Sequence, residues 1–544
     1  MNQLFKKISD QFFQNSTKIY LILANIVLVV FAIWFSNAGL LPFKNSGDFA
    51  VFAILSLVLA LYRPGWAFAL FLGTLALENI NLVPGGHIAL RPYQFLAIVL
   101  IIALLVRFLG KKMPFSWPKL GWIDAAPIVF AIGGFMSALG ASSRAVSFKQ
   151  AIVATSFVAL YFLVRIFVQS FDDLKKIAPF FLSSGLVVLA YSIWQNVRFI
   201  HGANSFEVMP GRPNGTFTEA DWMGIYIVFL LSIVYVIVLY FQRVKSGIKV
   251  SILNFKFQIL NEFSIIKLLN YLLSIVIFVV LILTVSRSAW VGAAVVVVGF
   301  LKFVLYDGSW RISQWQWKKM LLSLGNVVFV LIASLAIVFG FGLTRFQLGN
   351  RAVSTGGLQK ITIACQGGID NVVPKNIGSV DELANYGCRH INLEDIEKEK
   401  SLGNVVMEVN RPDPNVNIRS EIYKKSIAEI KAHPFWGIGW GSISKILGTD
   451  DRGAGLNASN IFLETWLGSG LLGILSWLTL LLYVFVKGVA MFFKKNDETK
   501  IVSAFVLLGW TAIVVPNLFN SGIFLGFVWC YIAAAVGLIL EKKK

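Results

Sequence analysis

The sequence predicts an all-α polytopic membrane protein of about 14 transmembrane helices, with one large mixed extracytoplasmic loop domain before the last three spans. Three observations predict it. The chain is 57% hydrophobic and only 14% charged over 544 residues, with a mean hydropathy of +0.73, outside the range of soluble globular domains. Fourteen apolar runs of spanning or near-spanning length centre near residues 27, 56, 72, 101, 133, 159, 186, 231, 276, 298, 332, 473, 509 and 531. With the N-terminus placed in the cytoplasm, more than half of the 48 Lys and Arg fall in the inner segments, as short cytoplasmic loops require.

The first run, Ile19 to Phe35, is too long for a signal-peptide core and is followed by further spans, so it reads as retained. The third, Trp66 to Leu77, is short and precedes ENINLVPGG, which suits a short tilted span or a re-entrant segment. Residues 1–343 then form a membrane domain of about eleven spans, 344–459 an extracytoplasmic cap loop, and 460–544 a C-terminal membrane segment of about three spans. Both termini are expected in the cytoplasm. The basic, partly amphipathic stretch 246–267 suits a helix lying on the membrane surface. The net charge of +20 is read as a topology signal and an attraction to membrane lipids, with no nucleic acid as partner.

Within the loop, ITIA reads as a short strand, VDELANYG as a helix ended by Gly387, and NIRSEIYKKSIAEIKAHP as a longer helix stopped by Pro434. Cys365 and Cys388 fall on a side where disulfides persist, so a bridge is expected, with Cα atoms about 4.4 to 6.8 Å apart. The alternative is two buried thiols. With only His390 nearby, zinc does not fit.

The same topology puts Arg212, Arg287 and Arg419 on one face. Arg287 stands between two apolar runs with only Ser286 and Ser288 beside it, and an ionised group there marks function. The plain alternative is a helix-end arginine reaching for headgroups. A guanidinium fork donates two parallel charge-assisted hydrogen bonds, which suits phosphate. Three such forks on one face point to a lipid-linked phosphate or pyrophosphate, and their guanidinium groups are expected within about 15 Å of one another. Glu219 and Asp221 open a span and are the candidate proton acceptors; a helix N-terminus favours their charged form and burial opposes it. Glu219 could instead cap the helix opened by Thr218. Trp436 and Trp440, beside a glycine-rich turn, offer faces to a sugar, although interfacial tryptophans need none. His433 precedes Pro434, where a turn residue is the plainer reading, and Asn460 and Glu464 open the next span. No cofactor and no metal is assigned.

Four short elements carry a resemblance. GRPNGTFTEADWMG looks like the R-x-x-G-T-F element of the O-antigen ligase and polymerase superfamily, SRSAWVG resembles its S-R-x-x-W element, HPFWGIGWGSI its h-P-x-x-G-I-G-x-G element, and SNIFLETWLGSGLLG its N-x9-G-x-x-G span. They run in the family's order over about residues 205 to 475, with one long loop before the last spans. The resemblance implies transfer or polymerisation of a glycan from a polyprenyl pyrophosphate-linked donor to a lipid, glycan or protein acceptor on the extracytoplasmic face of the cytoplasmic membrane. It matches Arg212, Arg287 and Arg419 to the family's arginines. The chain departs from the family where a histidine usually precedes the matched Asn460, since Ala458 and Ser459 stand there. Glu219 is then the leading base and Asp221 the reserve. The competing class is a transporter of lipid-linked sugar or an anionic solute, which predicts internal repeats and mid-membrane charges; no two halves of the chain resemble each other.

Overall fold

The computed structural model describes residues 15–84, 89–113, 117–244, 262–306, 312–344, 348, 358–366, 373–378, 380–391, 396–412, 414–449, 455–494 and 496–541. The expected surface-lying segment 246–267 falls largely outside them, as does the basic tail at 542–544. Among the described residues ten helices are long and apolar enough to cross a membrane, and four shorter apolar helices account for the other expected runs.

In chain order the helices are α1 Asn15–Asn37, α2 Ser46–Tyr62, α3 Pro64–Gly73, α4 Pro92–Leu109, α5 Ala125–Gly140, α6 Arg144–Phe167, α7 Phe171–Ile200, α8 Ala220–Val244, α9 Glu262–Leu283, α10 Arg287–Leu305 and α11 Trp317–Gly340. After strands β1 Leu358–Cys365, β2 Cys388–His390 and β3 Val405–Pro412 and helices α12 Ile396–Ser401 and α13 Pro414–Ala432, the chain continues through α14 Ile443–Leu447, α15 Ile461–Phe492, α16 Asp497–Asn517 and α17 Gly526–Leu540. Two compact units result: residues 1–343 with 429–544, and residues 344–428.

In lipid every backbone polar group must be satisfied within the segment, which is why the apolar runs are helical. The third run is the informative exception. It yields the ten-residue α3, about 15 Å long against a hydrocarbon core of about 30 Å. Eight of its residues are buried, so protein, not lipid, surrounds it. Its last residue, Gly73, lies against Asn25 of α1, and a Cβ there would come within 1.7 Å of Asn25 Oδ1. Asn25 cannot swing away at no cost, because its Nδ2 donates to Phe180 O, Ser183 Oγ and Ser184 Oγ of α7. A second polar tie is the buried ion pair of Arg165 Nε with Asp124 Oδ1 at 2.9 Å, to which Tyr161 also donates.

The tightest helix packing uses small residues, which let backbones approach without a hydrophobic drive between helices. A Cβ on Gly133 of α5 would meet Ser469 O of α15 at 2.7 Å. Helix α15 breaks its own geometry at Gly470, where φ is 64°.

In the second unit three antiparallel strands lie in the order β2-β1-β3. Ile361, Ile363, Ile377, Leu383 and Val409 pack with both cysteines into a small core. Cys365 and Cys388 face each other in register and are joined in a disulfide, with Cα atoms 4.0 Å apart. That is closer than the range expected from the sequence. The neighbouring pair carries the ladder bond, from Gln366 N to Gly387 O, so the cysteines occupy a non-hydrogen-bonded position, where Cα atoms approach most closely. The VDELANY segment is a 3-10 helix ending before Gly387, whose φ is 65°. Arg389 Nη2 holds both oxygens of Glu399 at 2.8 and 2.9 Å, tying β2 to α12.

Gly73→Ala is expected to destabilise the protein by about 1 to 3 kcal/mol, the usual cost of overpacking. Gly325→Ala, where a Cβ meets nothing within 4 Å, serves as control. Thermal unfolding in detergent should show a lower midpoint for the first variant only; equal midpoints would contradict the Asn25 contact. Reducing the Cys365–Cys388 bridge, 23 residues apart, should cost the small sheet about 3 kcal/mol. Hydrogen exchange across residues 358–412 reads this, and unchanged protection would show that the sheet does not depend on the bridge.

Candidate active site

The R-x-x-G-T-F segment is a buried turn, not an exposed loop: Gly211 through Phe217 are all buried. Such burial demands partners for its backbone. Gly215 N donates to Gln195 Oε1 of α7 at 2.8 Å, Thr216 Oγ1 donates to Ala76 O, and Asn79 N donates to Thr216 O at 2.8 Å. Glu207 Oε2 accepts from Gly211 N at 2.9 Å and from Ser205 Oγ at 3.1 Å; burial pushes its carboxyl above the usual range, with these bonds opposing. Gly211 and Gly215 have φ of 75° and 56°, the left-handed region that a side chain disfavours.

Arg212 emerges from this turn with its guanidinium committed. Its Nε donates to Thr284 O at 2.9 Å, its Nη2 lies 3.2 Å from Asp221 Oδ1, and its Nη1 lies 3.7 Å from Met209 Sδ. Arg212 is only 7% exposed. Thr284 belongs to the three-residue turn between α9 and α10, and Arg287 is the first residue of α10. The first element thus grips the backbone three residues before the arginine of the second. Gly224 of α8 completes the contact: a Cβ there would meet Ala289 Cβ at 2.7 Å and Ser286 Cβ at 3.3 Å. Arg287 itself is half-buried and follows Val285, whose φ of 52° makes the turn.

The third and fourth elements fit each other through glycine. A Cβ on Gly437 would lie 2.5 Å from Leu467 O, and one on Gly470 would lie 2.4 Å from Phe435 O. In that close approach Ile438 N donates to Leu467 O at 2.8 Å and Leu471 N to Phe435 O at 2.9 Å. Asn460 caps α15, accepting from Phe462 N and Leu463 N, and its Nδ2 donates to Leu518 O at 2.9 Å. Two residues on, Asn520 Nδ2 donates to Ser288 Oγ at 2.7 Å. The turn between α16 and α17 therefore joins the fourth element to the second, and all four elements form one contiguous contact.

The acids divide. Asp221, in the first turn of α8, is the partner of Arg212. Glu219 is half-buried just before that helix, and its carbonyl accepts from Met223 N. Glu464 is buried and its Oε2 accepts from Ala458 N at 2.6 Å, so it fastens the turn at the position where the family's histidine is absent. His433 and Trp436 are exposed. Trp440 is 6% exposed, and its indole fills space that only glycine leaves open, since a Cβ on Gly468 would meet its ring at 2.1 Å. In this structure it is a packing residue and turns no open face to a sugar. Arg419 stands half-buried on α13 in the second unit.

Sequence reasoning missed Gln195, Glu207, Thr284, Leu518 and Asn520. Two of them act through backbone carbonyls, which leave no residue signature. Asn520 had one available signal, a polar NSG turn between two apolar runs.

Residues 272–478 match the family model described as O-Antigen ligase. The match takes in the last three of the four elements, and the first lies ahead of it. No curated protein matches the chain. Residues 272–478 are therefore similar to the O-antigen ligase family, in agreement with the resemblance carried by the short elements.

Proposed function

We propose that this protein transfers or polymerises a glycan from a polyprenyl pyrophosphate-linked donor to an acceptor hydroxyl on the extracytoplasmic face of the cytoplasmic membrane. The observation that carries the reading is the contact of the four elements, with Arg212 bonded to the turn that presents Arg287. Arg287 is the cation that meets the pyrophosphate. Arg419, which the resemblance matches to the family's arginines, is proposed to contribute to donor binding. Arg212 is a positioning residue whose fork fixes the turn, with Asp221 balancing its charge.

In the reaction the acceptor oxygen attacks the anomeric carbon, a new C–O bond forms, and the bond to the donor phosphate oxygen breaks. The electron pair leaves with the pyrophosphate, where fixed guanidinium groups stabilise the developing charge. The acceptor proton goes to Glu219, which lies seven residues from Arg212 at the start of α8. Asn460, Glu464, His433 and Trp436 border the acceptor side. A multi-spanning carrier would move the donor intact, whereas this reading cleaves it.

The test is glycan transfer by the purified protein in proteoliposomes. Glu219→Gln should keep donor binding and lower turnover by about 10² to 10⁴, the contribution of a positioned base. Near-normal transfer by that variant would remove Glu219 from the mechanism. Arg287→Ala should weaken both donor binding and turnover. Arg212→Lys should fail to restore the activity lost in Arg212→Ala, because one ammonium cannot hold Thr284 O and Asp221 in the same geometry; full rescue by lysine would mean that only charge matters there. With guanidinium groups carrying the charge stabilisation, transfer should continue in excess chelator, and a rate abolished by EDTA and restored by Mg²⁺ would contradict this assignment.

A further inference from the structure

A cavity of about 150 Å³ lies among α3, α6, α7, α8, α16 and α17, with none of its lining residues in the four elements. Along α8 it runs from Phe229 to Tyr240, a rise of about 16 Å. At the Phe229 end an aromatic layer closes it: Phe229 stacks on Phe527 at 5.5 Å, Phe527 meets Tyr226 at 5.4 Å, and Tyr226 lies 5.1 Å from Phe217 of the R-x-x-G-T-F turn. The walls are apolar. The hydroxyl of Tyr531, which also lines it, is spent on Val506 O.

The other end is polar. Lys175 lines it, with its Nζ 5.1 Å from the Phe171 ring centre and 5.9 Å from that of Tyr240. Lys176 is next in sequence and close enough to Lys18 of α1 for their charges to repel. Acids share the same end: Asp172 lies 2.5 Å from Lys175, and Glu541 feels both Asp172 and Asp173. A long apolar slot that ends among lysines and carboxylates matches an amphiphile with one hydrocarbon chain in the slot, a phosphate for the lysines and an ammonium for the acids.

We propose that this slot binds a phospholipid whose head carries both a phosphate and a primary amine, the phosphatidylethanolamine class. The site is separate from the glycan-transfer reading and stands or falls without it. A primary ammonium donates three hydrogen bonds to carboxylates, a trimethylated one donates none, and a glycerol head lacks the cation. The lipid is therefore an integral part of the bundle at the end opposite the four elements, filling a gap that side chains leave.

Native mass spectrometry of the delipidated full-length protein, titrated with dioleoyl phosphatidylethanolamine, phosphatidylcholine or phosphatidylglycerol, tests this. One phosphatidylethanolamine should bind at least tenfold more tightly than the other two. Ala534→Phe and Ala178→Phe, each filling the slot, should lose that binding. Cys530 provides a readout in the unaltered chain, since it lines the slot and is the one free cysteine of three. Its reaction with N-ethylmaleimide should slow at least tenfold when phosphatidylethanolamine is added. Equal affinity for the three lipids, binding unchanged in both filled variants, or no protection of Cys530 would each overturn the proposal. So would displacement by an equimolar polyprenyl phosphate, which would make the slot a path for the donor's tail.

Discussion

The arrangement of the candidate site depends on one hydrogen bond, from Arg212 Nε to the main-chain oxygen of Thr284. A carbonyl at the end of a membrane helix has no intrahelical partner, and leaving it buried and unpaired costs about 1 to 3 kcal/mol. Arginine satisfies it and, with the same planar group, takes the Asp221 carboxylate. That double engagement fixes the turn in which α9 ends and α10 begins. Arg287 inherits its position from that turn. An arginine expected from sequence to meet substrate thus has its donors engaged within the protein.

Close backbone approach is the second constraint. Gly437 and Gly470 each stand where a side chain would strike the other segment's carbonyls. Both have left-handed φ, 67° and 64°, so any substitution there combines strain with collision. This gives the glycine-rich motifs a physical content: they are the two halves of one backbone contact. Asn460 then connects the start of α15 to the turn after α16, and Asn520 connects that turn back to Ser288.

Most of the membrane architecture was legible because an apolar run in lipid has few conformations open to it. Each expected run corresponds to a helix, and the short third run stood out by its length and by the ENINLVPGG that follows it. What composition could not reveal is that protein surrounds α3, since burial depends on Asn25 and Gly73 meeting across 48 positions of sequence. At the site Arg212 and Arg287 were legible as expensive charges among apolar residues. The bond of Arg212 to Asp221 was not, because Glu219 stands two residues away and nothing in the spacing assigns the ion pair to Asp221. Trp440 was read as a sugar platform, yet its ring lies against Gly134 and Gly468. Complementarity between a large ring and two distant glycines leaves no local pattern. Asn520 lies 232 residues from the serine that it holds, beyond any spacing rule.

The central proposal is that this membrane protein breaks the bond between a glycan and its lipid pyrophosphate and passes the glycan to an acceptor. Its most direct measurement is a count, in proteoliposomes holding a polyprenyl pyrophosphate-linked glycan, of lipid pyrophosphate released per glycan appearing on acceptor. The account predicts one for one, with no release when acceptor is withheld. Donor that crosses the bilayer with its sugar–phosphate bond intact, and no glycan on acceptor, would contradict it.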